Sequence, residues 1–363
     1  PRNGDVLALV SKPAYDPNDF AGGIDAETWS RLTSDKRVPL QNRALAGQYP
    51  PGSTYKIIVA AAGLEEGVID PEKRIFCPGS FTLGRRTYRC WKRGGHGAVN
   101  LQRALVESCD VYFYGVGLEL GIERLARYGR GFNLGRRTGI RISQEMPGLV
   151  PTPAWKLRRH REGWMKGETV SAAIGQGFNL VTPLQMAVAY AAVANGGKLV
   201  RPRVLLRRTT RGGSVTQGHE VDFQGTLPVA PVHLARIRTG LEAAVGDPHG
   251  TGGRARIGGI RVAGKTGTSQ VVGLQQTVGI AEEDVPFRFR DHAWFVAFAP
   301  VDAPQIVVAV LVEHGGHGGS AAAPIAQRVM SRYFEKRRES EATPLAGMLG
   351  GLAGMPGVDR AGN

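Results

Sequence analysis

The stretch Gln48-Tyr49-Pro50-Pro51-Gly52-Ser53-Thr54-Tyr55-Lys56, with the run Ile57-Ile58-Val59-Ala60-Ala61-Ala62 behind it, constrains this chain more than any other segment. Two prolines and a glycine force a tight turn, and the apolar run that follows reads as a helix buried on all sides. Ser53 then stands at the helix N-terminus. Lys56, about one turn further on, lies on the same face, with its amine in reach of the serine hydroxyl. That is a nucleophile beside a base: burial or a neighbouring cation disfavours the lysine's charge, while helix N-terminal amides favour a developing anion. Taken alone, Ser-x-x-Lys is a weak signal and reads first as a helix with a serine N-cap.

Two further groups change that balance. Asn100 caps a helix whose Leu101, Ala104 and Leu105 share one face, and this helix delivers Ser108-Cys109-Asp110. Lys265-Thr266-Gly267-Thr268 closes a strand-like run. Ser-x-x-Lys, Ser-x-Asn/Asp and Lys-Thr-Gly, in that order, form the signature of penicillin-recognising serine enzymes. A competing pattern overlaps the third group, because Gly259-Ile260-Arg261-Val262-Ala263-Gly264-Lys265-Thr266 satisfies the phosphate-loop formula. That loop needs a helix directly after it, and Gly267-Thr268-Ser269-Gln270-Val271-Val272-Gly273 is a poor helix start. His314 and His317 could imitate a metal pair, but their glycine-rich setting reads as a flexible turn.

The chain of 363 residues can bury one large core or two ordinary ones. It opens at Pro1 directly into a strand pattern, Asp5 to Val10, with no signal peptide and no apolar run of about 18 residues. The expectation is a fragment whose upstream portion, including any anchor, is missing. A net charge of +15 suits anionic partners in general. The basic residues are scattered and no aromatic ladder or nucleic-acid motif accompanies them, so they read as a solvated surface and nucleic acid is not expected as a partner.

Cys77, Cys90, His96 and Cys109 fall in one segment as C-x12-C-x5-H-x12-C, a soft donor set of the kind Zn²⁺ favours in closed structural sites. A Cys77–Cys90 disulfide with one odd thiol accounts for the same cysteines. Elsewhere the sequence predicts a short helix over 26–32, the serine helix closing near Glu65-Glu66-Gly67, and a turn-rich excursion over 77–97. A helical stretch follows toward Leu120, then a helix with Thr182 as cap and Pro183 first, ending near Asn195. A hairpin over 199–226 turning at Gly212-Gly213, a helix over 232–245, strands over 259–268, 293–299 and 306–312, and a helix over 324–336 complete it. Residues 270–291 form a long polar connection that suits a substrate-gating loop, and the tail from Thr343 reads as disordered.

With its three motifs placed, the chain resembles the transpeptidase domain of class B penicillin-binding proteins, most closely the rod-elongation branch, over nearly its whole length from Leu7-Ala8-Leu9-Val10-Ser11-Lys12-Pro13 to the last helix. The resemblance implies a mixed α/β fold: an antiparallel five-stranded sheet flanked by helices, plus an all-helical lobe, with the site between them. It implies a domain over 1–338, a flexible tail over 339–363, and an inner-membrane anchor and N-terminal domain upstream, holding the domain at the periplasmic face. Ser53 is then the nucleophile, Lys56 its base, and the amides of Ser53 and Thr268 the oxyanion hole. Ser108 would relay a proton to the leaving D-alanine nitrogen. Asp110 stands where many relatives have Asn, which leaves its role open between hydrogen bonding and a charge on the rim. Lys265, Thr266, Gly267 and Thr268 would bind the terminal carboxylate of a D-Ala-D-Ala stem peptide. The implied reaction is two-step acyl transfer between stem peptides, blocked by β-lactams, with a membrane glycan polymerase as partner and no organic cofactor. A serine β-lactamase and a non-catalytic β-lactam sensor share these motifs. Some family members carry a metal between the first two motifs, with carboxylates where Cys77 and Cys90 stand, which favours zinc over the disulfide.

Overall fold

The computed structural model describes the backbone of residues 1–210, 215–218, 220–271 and 285–350, and the side chains of these except 215–218 and 342–350. The chain begins as an extended surface segment and then forms α1 (Ala26–Ser34), its N-terminus capped by Asp25. A 3₁₀ turn, Gly52–Tyr55, runs straight into α2 (Lys56–Glu65). Every residue of α2 from Lys56 to Leu64 is buried, as an all-round apolar helix requires. Next come β1 (Ile75–Cys77), β2 (Ser80–Leu83), β3 (Arg86–Arg89) and β4 (Gly97–Val99). They pair antiparallel as β1 with β4 and β2 with β3. The excursion over 77–97 is thus two nested hairpin pairs, each strand too short to reveal a period of two.

Two helices follow, α3 (Leu101–Val106) and α4 (Asp110–Gly131). The latter breaks at Gly121, whose φ of 72° and ψ of 161° are non-helical, where the sequence predicts an end near Leu120. Beyond it lie α5 (Pro153–His160), α6 (Lys166–Ala173) and α7 (Pro183–Ala194), the last with Thr182 and Gln185 in a capping box. The hairpin region holds β5 (Lys198–Val200), β6 (Arg207–Thr209), β7 (Val215–Gly218) and β8 (Phe223–Thr226), paired β5 with β8 and β6 with β7. Its expected turn at 212–213 lies outside the described residues.

The C-terminal third supplies α8 (Pro231–Gly246), then β9 (Ala263–Ser269), β10 (His292–Ala299) and β11 (Ile306–Val312), and α9 (Gly318–Gly350). The three strands form one antiparallel sheet in the order β11-β10-β9. Side chains of β10 alternate between two cores. Ala293, Phe295, Ala297 and Ala299 pack with Ala322, Ala326, Met330 and Phe334 of α9, while Trp294, Val296 and Phe298 join the larger core of α2, α4 and α7. Helices therefore cover both faces, and the α2–α4–α6 lobe leans on one of them.

Among the described residues the central sheet has three hydrogen-bonded strands, where five were expected. The predicted strand over 5–10 is one missing member. It makes a single bridge, Asp5 to Arg203, and leaves Leu7 and Val10 exposed. Its apolar residues have the propensity, but among the described residues no strand lies alongside to complete a ladder. The last helix begins six residues before the predicted Pro324 and extends past 338. Most of the expected gating loop, 272–284, and the tail beyond 350 lie outside the described residues.

Candidate active site

Ser53 occupies the 3₁₀ turn that leads into α2, and Lys56 is the first residue of α2 itself. The serine is no N-cap, since neither the turn nor the helix has a side-chain cap. Gly52 explains the tight approach of this turn to β9. Its φ is +54°, and a Cβ there would stand 2.4 Å from the Thr268 carbonyl oxygen and 3.1 Å from the Thr268 nitrogen. The Ser53 turn and the Thr268 peptide therefore face each other directly.

Lys56 is fully buried and its Nζ donates to three acceptors: Ser108 O at 2.9 Å, Ser108 Oγ at 3.2 Å and Asp110 Oδ1 at 2.7 Å. Three donors are all that an ammonium possesses. None of these bonds goes to Ser53, so the resting lysine is engaged by the second motif. Ser108 sits between α3 and α4 at a φ of +56°, a left-handed backbone that a serine occupies at a cost of order 1–3 kcal/mol. Its carbonyl accepts from both Lys56 Nζ and the Trp91 indole, at 2.9 and 3.1 Å. Trp91 also gives its backbone N–H to Asp110 Oδ2 at 2.9 Å.

Lys265 lies in the middle of β9, fully buried, with its Nζ donating to the Thr266 carbonyl at 3.2 Å. Burial pushes its amine well below the ordinary lysine range, the charge of Lys56 pushes the same way, and Asp110 partly offsets both. The strand carries on through Ser269, so no helix follows Lys265 and the phosphate-loop pattern is a coincidence of sequence. Thr266 donates to Thr251 Oγ1 at 2.8 Å. Two buried lysines, Ser108 and one carboxylate thus converge from α2, the α3–α4 junction and β9, with the Ser53 turn packed alongside on Thr268.

All three cysteines are free and buried, and no Cys77–Cys90 disulfide is formed. Cys77 ends β1, Cys90 follows β3, His96 precedes β4 and Cys109 precedes α4, yet their ligand atoms lie within 4.8 Å of one another. His96 Nδ1 stands 3.6 Å from Cys77 Sγ and 3.4 Å from Cys90 Sγ. A tetrahedral ion with Zn–S of about 2.3 Å and Zn–N of about 2.0–2.1 Å gives an N···S edge of about 3.5 Å, so the donor set fits a metal. The opposite nitrogen, His96 Nε2, is buried without a hydrogen-bond partner. The hydrogen bond from Cys109, opposed by burial and aided by His96, pushes the Cys90 thiol down, while the same contact, aided by burial, pushes Cys109 up. The His314 ring, by contrast, has its Nδ1 against the Arg290 carbonyl at 3.1 Å, while its backbone N–H donates to His292 Nδ1.

The chain matches the penicillin binding protein transpeptidase domain over residues 1–331. It belongs to that family. Among curated relatives, the peptidoglycan D,D-transpeptidase MrdA of Haemophilus influenzae is 40% identical over 344 residues, covering 93% of this chain and 52% of the relative. Penicillin-binding protein 2 of Pseudomonas aeruginosa, solved in complex with WCK 5153, superposes with a TM-score of 0.81 at 38% identity, covering 91% of this chain and 69% of that one. The Helicobacter pylori protein solved as a complex with MreC gives a TM-score of 0.81 at 35% identity, covering 92% and 58% respectively. The chain spans about half the length of the curated relatives it matches. No helix among its described residues is long and apolar enough to cross a membrane.

In this transpeptidase domain several contributors carry no local signature. Trp91 bridges the cysteine segment to Ser108 and Asp110, and its only hint in the sequence is its place beside Cys90. Glu313 receives the Tyr49 hydroxyl and the Arg43 guanidinium, each at 2.7 Å, and so braces the turn that precedes Ser53. Burial works against the Glu313 charge, but those two bonds outweigh it and hold its carboxyl below the usual range.

Proposed function

We propose that this domain is a peptidoglycan D,D-transpeptidase that cross-links stem peptides in cell-wall elongation and rod shape, through an acyl-enzyme on Ser53. The observation that carries the reading is the convergence on Lys56 of Ser108 and Asp110, beside a buried Lys265 and a Ser53 turn packed on Thr268. Lys56 first gives one proton of its resting ammonium to Asp110, and Ser53 Oγ then attacks the carbonyl of the penultimate D-alanine as its own proton passes to the freed Lys56 amine. The amides of Ser53 and Thr268 hold the oxyanion, a contribution of about two to three powers of ten per donor. Collapse breaks the C–N bond, Ser108 passes the proton to the departing D-alanine, and an amine on a second stem peptide then resolves the ester. Lys265, Thr266, Gly267 and Thr268 receive the terminal carboxylate. A β-lactam acylates the same hydroxyl and stays.

Zinc at Cys77, Cys90, His96 and Cys109 supplies a structural cross-link and no reaction step. Cys109 adjoins Ser108, so this cross-link supports the strained backbone of the second motif. New glycan strands must be made before they can be joined, which supports a membrane glycan polymerase of the elongation complex as partner; the Helicobacter pylori relative assembles with MreC. The substrate's location supports the periplasmic face of the inner membrane.

The test is mass spectrometry of the intact protein after incubation with a labelled penicillin. One adduct on the Ser53 peptide, absent from Ser53→Ala, is expected, together with cross-linked product from a donor and an amine acceptor. Rapid steady hydrolysis of penicillin would make the domain a β-lactamase, and an adduct without cross-linking a sensor.

A further inference from the structure

Gly175 and Gln176 lie beyond α6, with no assigned part in the reaction, yet they hydrogen-bond to both walls of the site. Gly52, the residue before Ser53, donates its N–H to the Gly175 carbonyl at 3.0 Å. The close approach needs a glycine at 175, where φ is +71° and a Cβ would stand 2.3 Å from the Gly52 carbonyl oxygen. The next residue reaches the other wall. Gln176 Nε2 donates to the Thr268 carbonyl at 2.8 Å, and Gln176 Oε1 accepts from the Gln270 N–H at 3.4 Å.

β9 is the outermost of its three strands among the described residues. The Gln176 amide therefore fills the place of a neighbouring strand, with one acceptor and one donor bonded two residues apart on that open edge. Within a strand a residue's N–H and C=O project to the same side, so gripping the Thr268 carbonyl also sets the direction of the Thr268 N–H. The side chain is itself held: Gln176 is 8% exposed, its N–H goes to the Ser171 carbonyl at 3.0 Å, and the buried Asn179 amide donates to its carbonyl at 3.2 Å.

We propose that Gln176 is a positioning residue that fixes the spacing between the two oxyanion donors, tying the Thr268 peptide to the Ser53 turn through the Gly175–Gln176 backbone. The inference rests on the transpeptidase reading above. It makes the side-chain amide responsible for the rate of acyl transfer rather than for binding of the donor.

The test measures acylation by a fluorescent penicillin across a concentration series, which separates the half-saturating concentration from the limiting rate constant and gives the burst amplitude. Gln176→Ala is expected to lower the rate constant about 10- to 100-fold, with half-saturation unmoved and the burst amplitude that of wild type. Gln176→Glu keeps the shape and the acceptor for Gln270 but cannot donate to Thr268 when ionised, so it shows the same loss and serves if the alanine variant fails to fold. A wild-type rate constant in the glutamate variant overturns the proposal. A reduced amplitude with a wild-type rate constant also overturns it, since that is what a purely structural role produces. Absence of any adduct on the wild-type protein would instead sink the transpeptidase reading, and this inference with it.

Discussion

His292 offers a quantitative test of how the site is braced. Its Nδ1 accepts the His314 backbone N–H at 3.0 Å, which requires an unprotonated nitrogen. Burial, with a further contribution from His314, lowers its pKa from 6.5 to about 4, against a smaller opposing effect of Glu313. The ring also packs edge-on against Tyr49, at 5.4 Å, while Tyr49, Arg43 and Glu313 form the adjoining charged and hydrogen-bonded group. Because the folded pKa lies below the unfolded one, the unfolded chain binds the proton first. The contribution is therefore complete above pH 6.5 and is lost as pH falls toward about 4. A shift of this size has an upper limit of about 3 kcal/mol, which solvent screening of a half-buried ring reduces to about 1–2 kcal/mol. In a chain this long that corresponds to about 1–3 °C in Tm. Thermal melts of wild type and His292→Asn across this window, taken as a difference curve, isolate the histidine from other titrating groups. Wild type should lose stability faster than the variant on acidification. Parallel curves, or a variant that falls faster, would refute the reasoning.

Three other outcomes follow from the site. Asp110→Ala leaves the buried Lys56 without its carboxylate and should reduce unfolding free energy by about 3–5 kcal/mol, with Asp110→Asn losing less; equal denaturation midpoints for all three proteins would contradict this. Tyr49→Phe removes a hydroxyl bonded to a charged carboxylate and should cost about 1.5–3 kcal/mol in urea titrations, an unchanged midpoint arguing against the brace. Removal of zinc by a chelator should slow penicillin acylation about 5- to 30-fold, the population change expected if about 1–2 kcal/mol of strain at Ser108 is released, and added zinc should restore it. Metal analysis finding none in the native protein would remove that prediction.

The parts of the fold legible in the sequence are those written in local periods. The spacing of Ser53 and Lys56 brings them within one turn of each other, and the run from Trp294 to Ala299 announces a strand covered on both faces, which the two cores confirm. The apolar run over 5–10 misleads for the complementary reason, because strand propensity is realised only where a partner strand is available. Over 77–97 each strand has three or four residues, too few for alternation to register, and the cysteines and histidine mark the segment better than its hydrophobicity does. Gln176 and Thr268 are 92 positions apart, a separation across which no local pattern operates.

Asp110 is where the two halves of the second motif's surroundings meet. One carboxylate oxygen takes the Lys56 amine and the other takes the Trp91 N–H, one residue beyond Cys90. An asparagine has one oxygen for two donors and would turn an NH₂ group toward either the ammonium or the backbone N–H. With Trp91 held at this distance, only a carboxylate satisfies both at once. The aspartate is thus matched to a neighbouring segment that presents its own backbone donor. The cysteine cluster sets where that segment runs, so the identity of residue 110 and the cluster form one structural arrangement. The same argument explains why the lysine's three bonds all go to Ser108 and Asp110 in the resting site, leaving Ser53 to be engaged only when one of those bonds gives way.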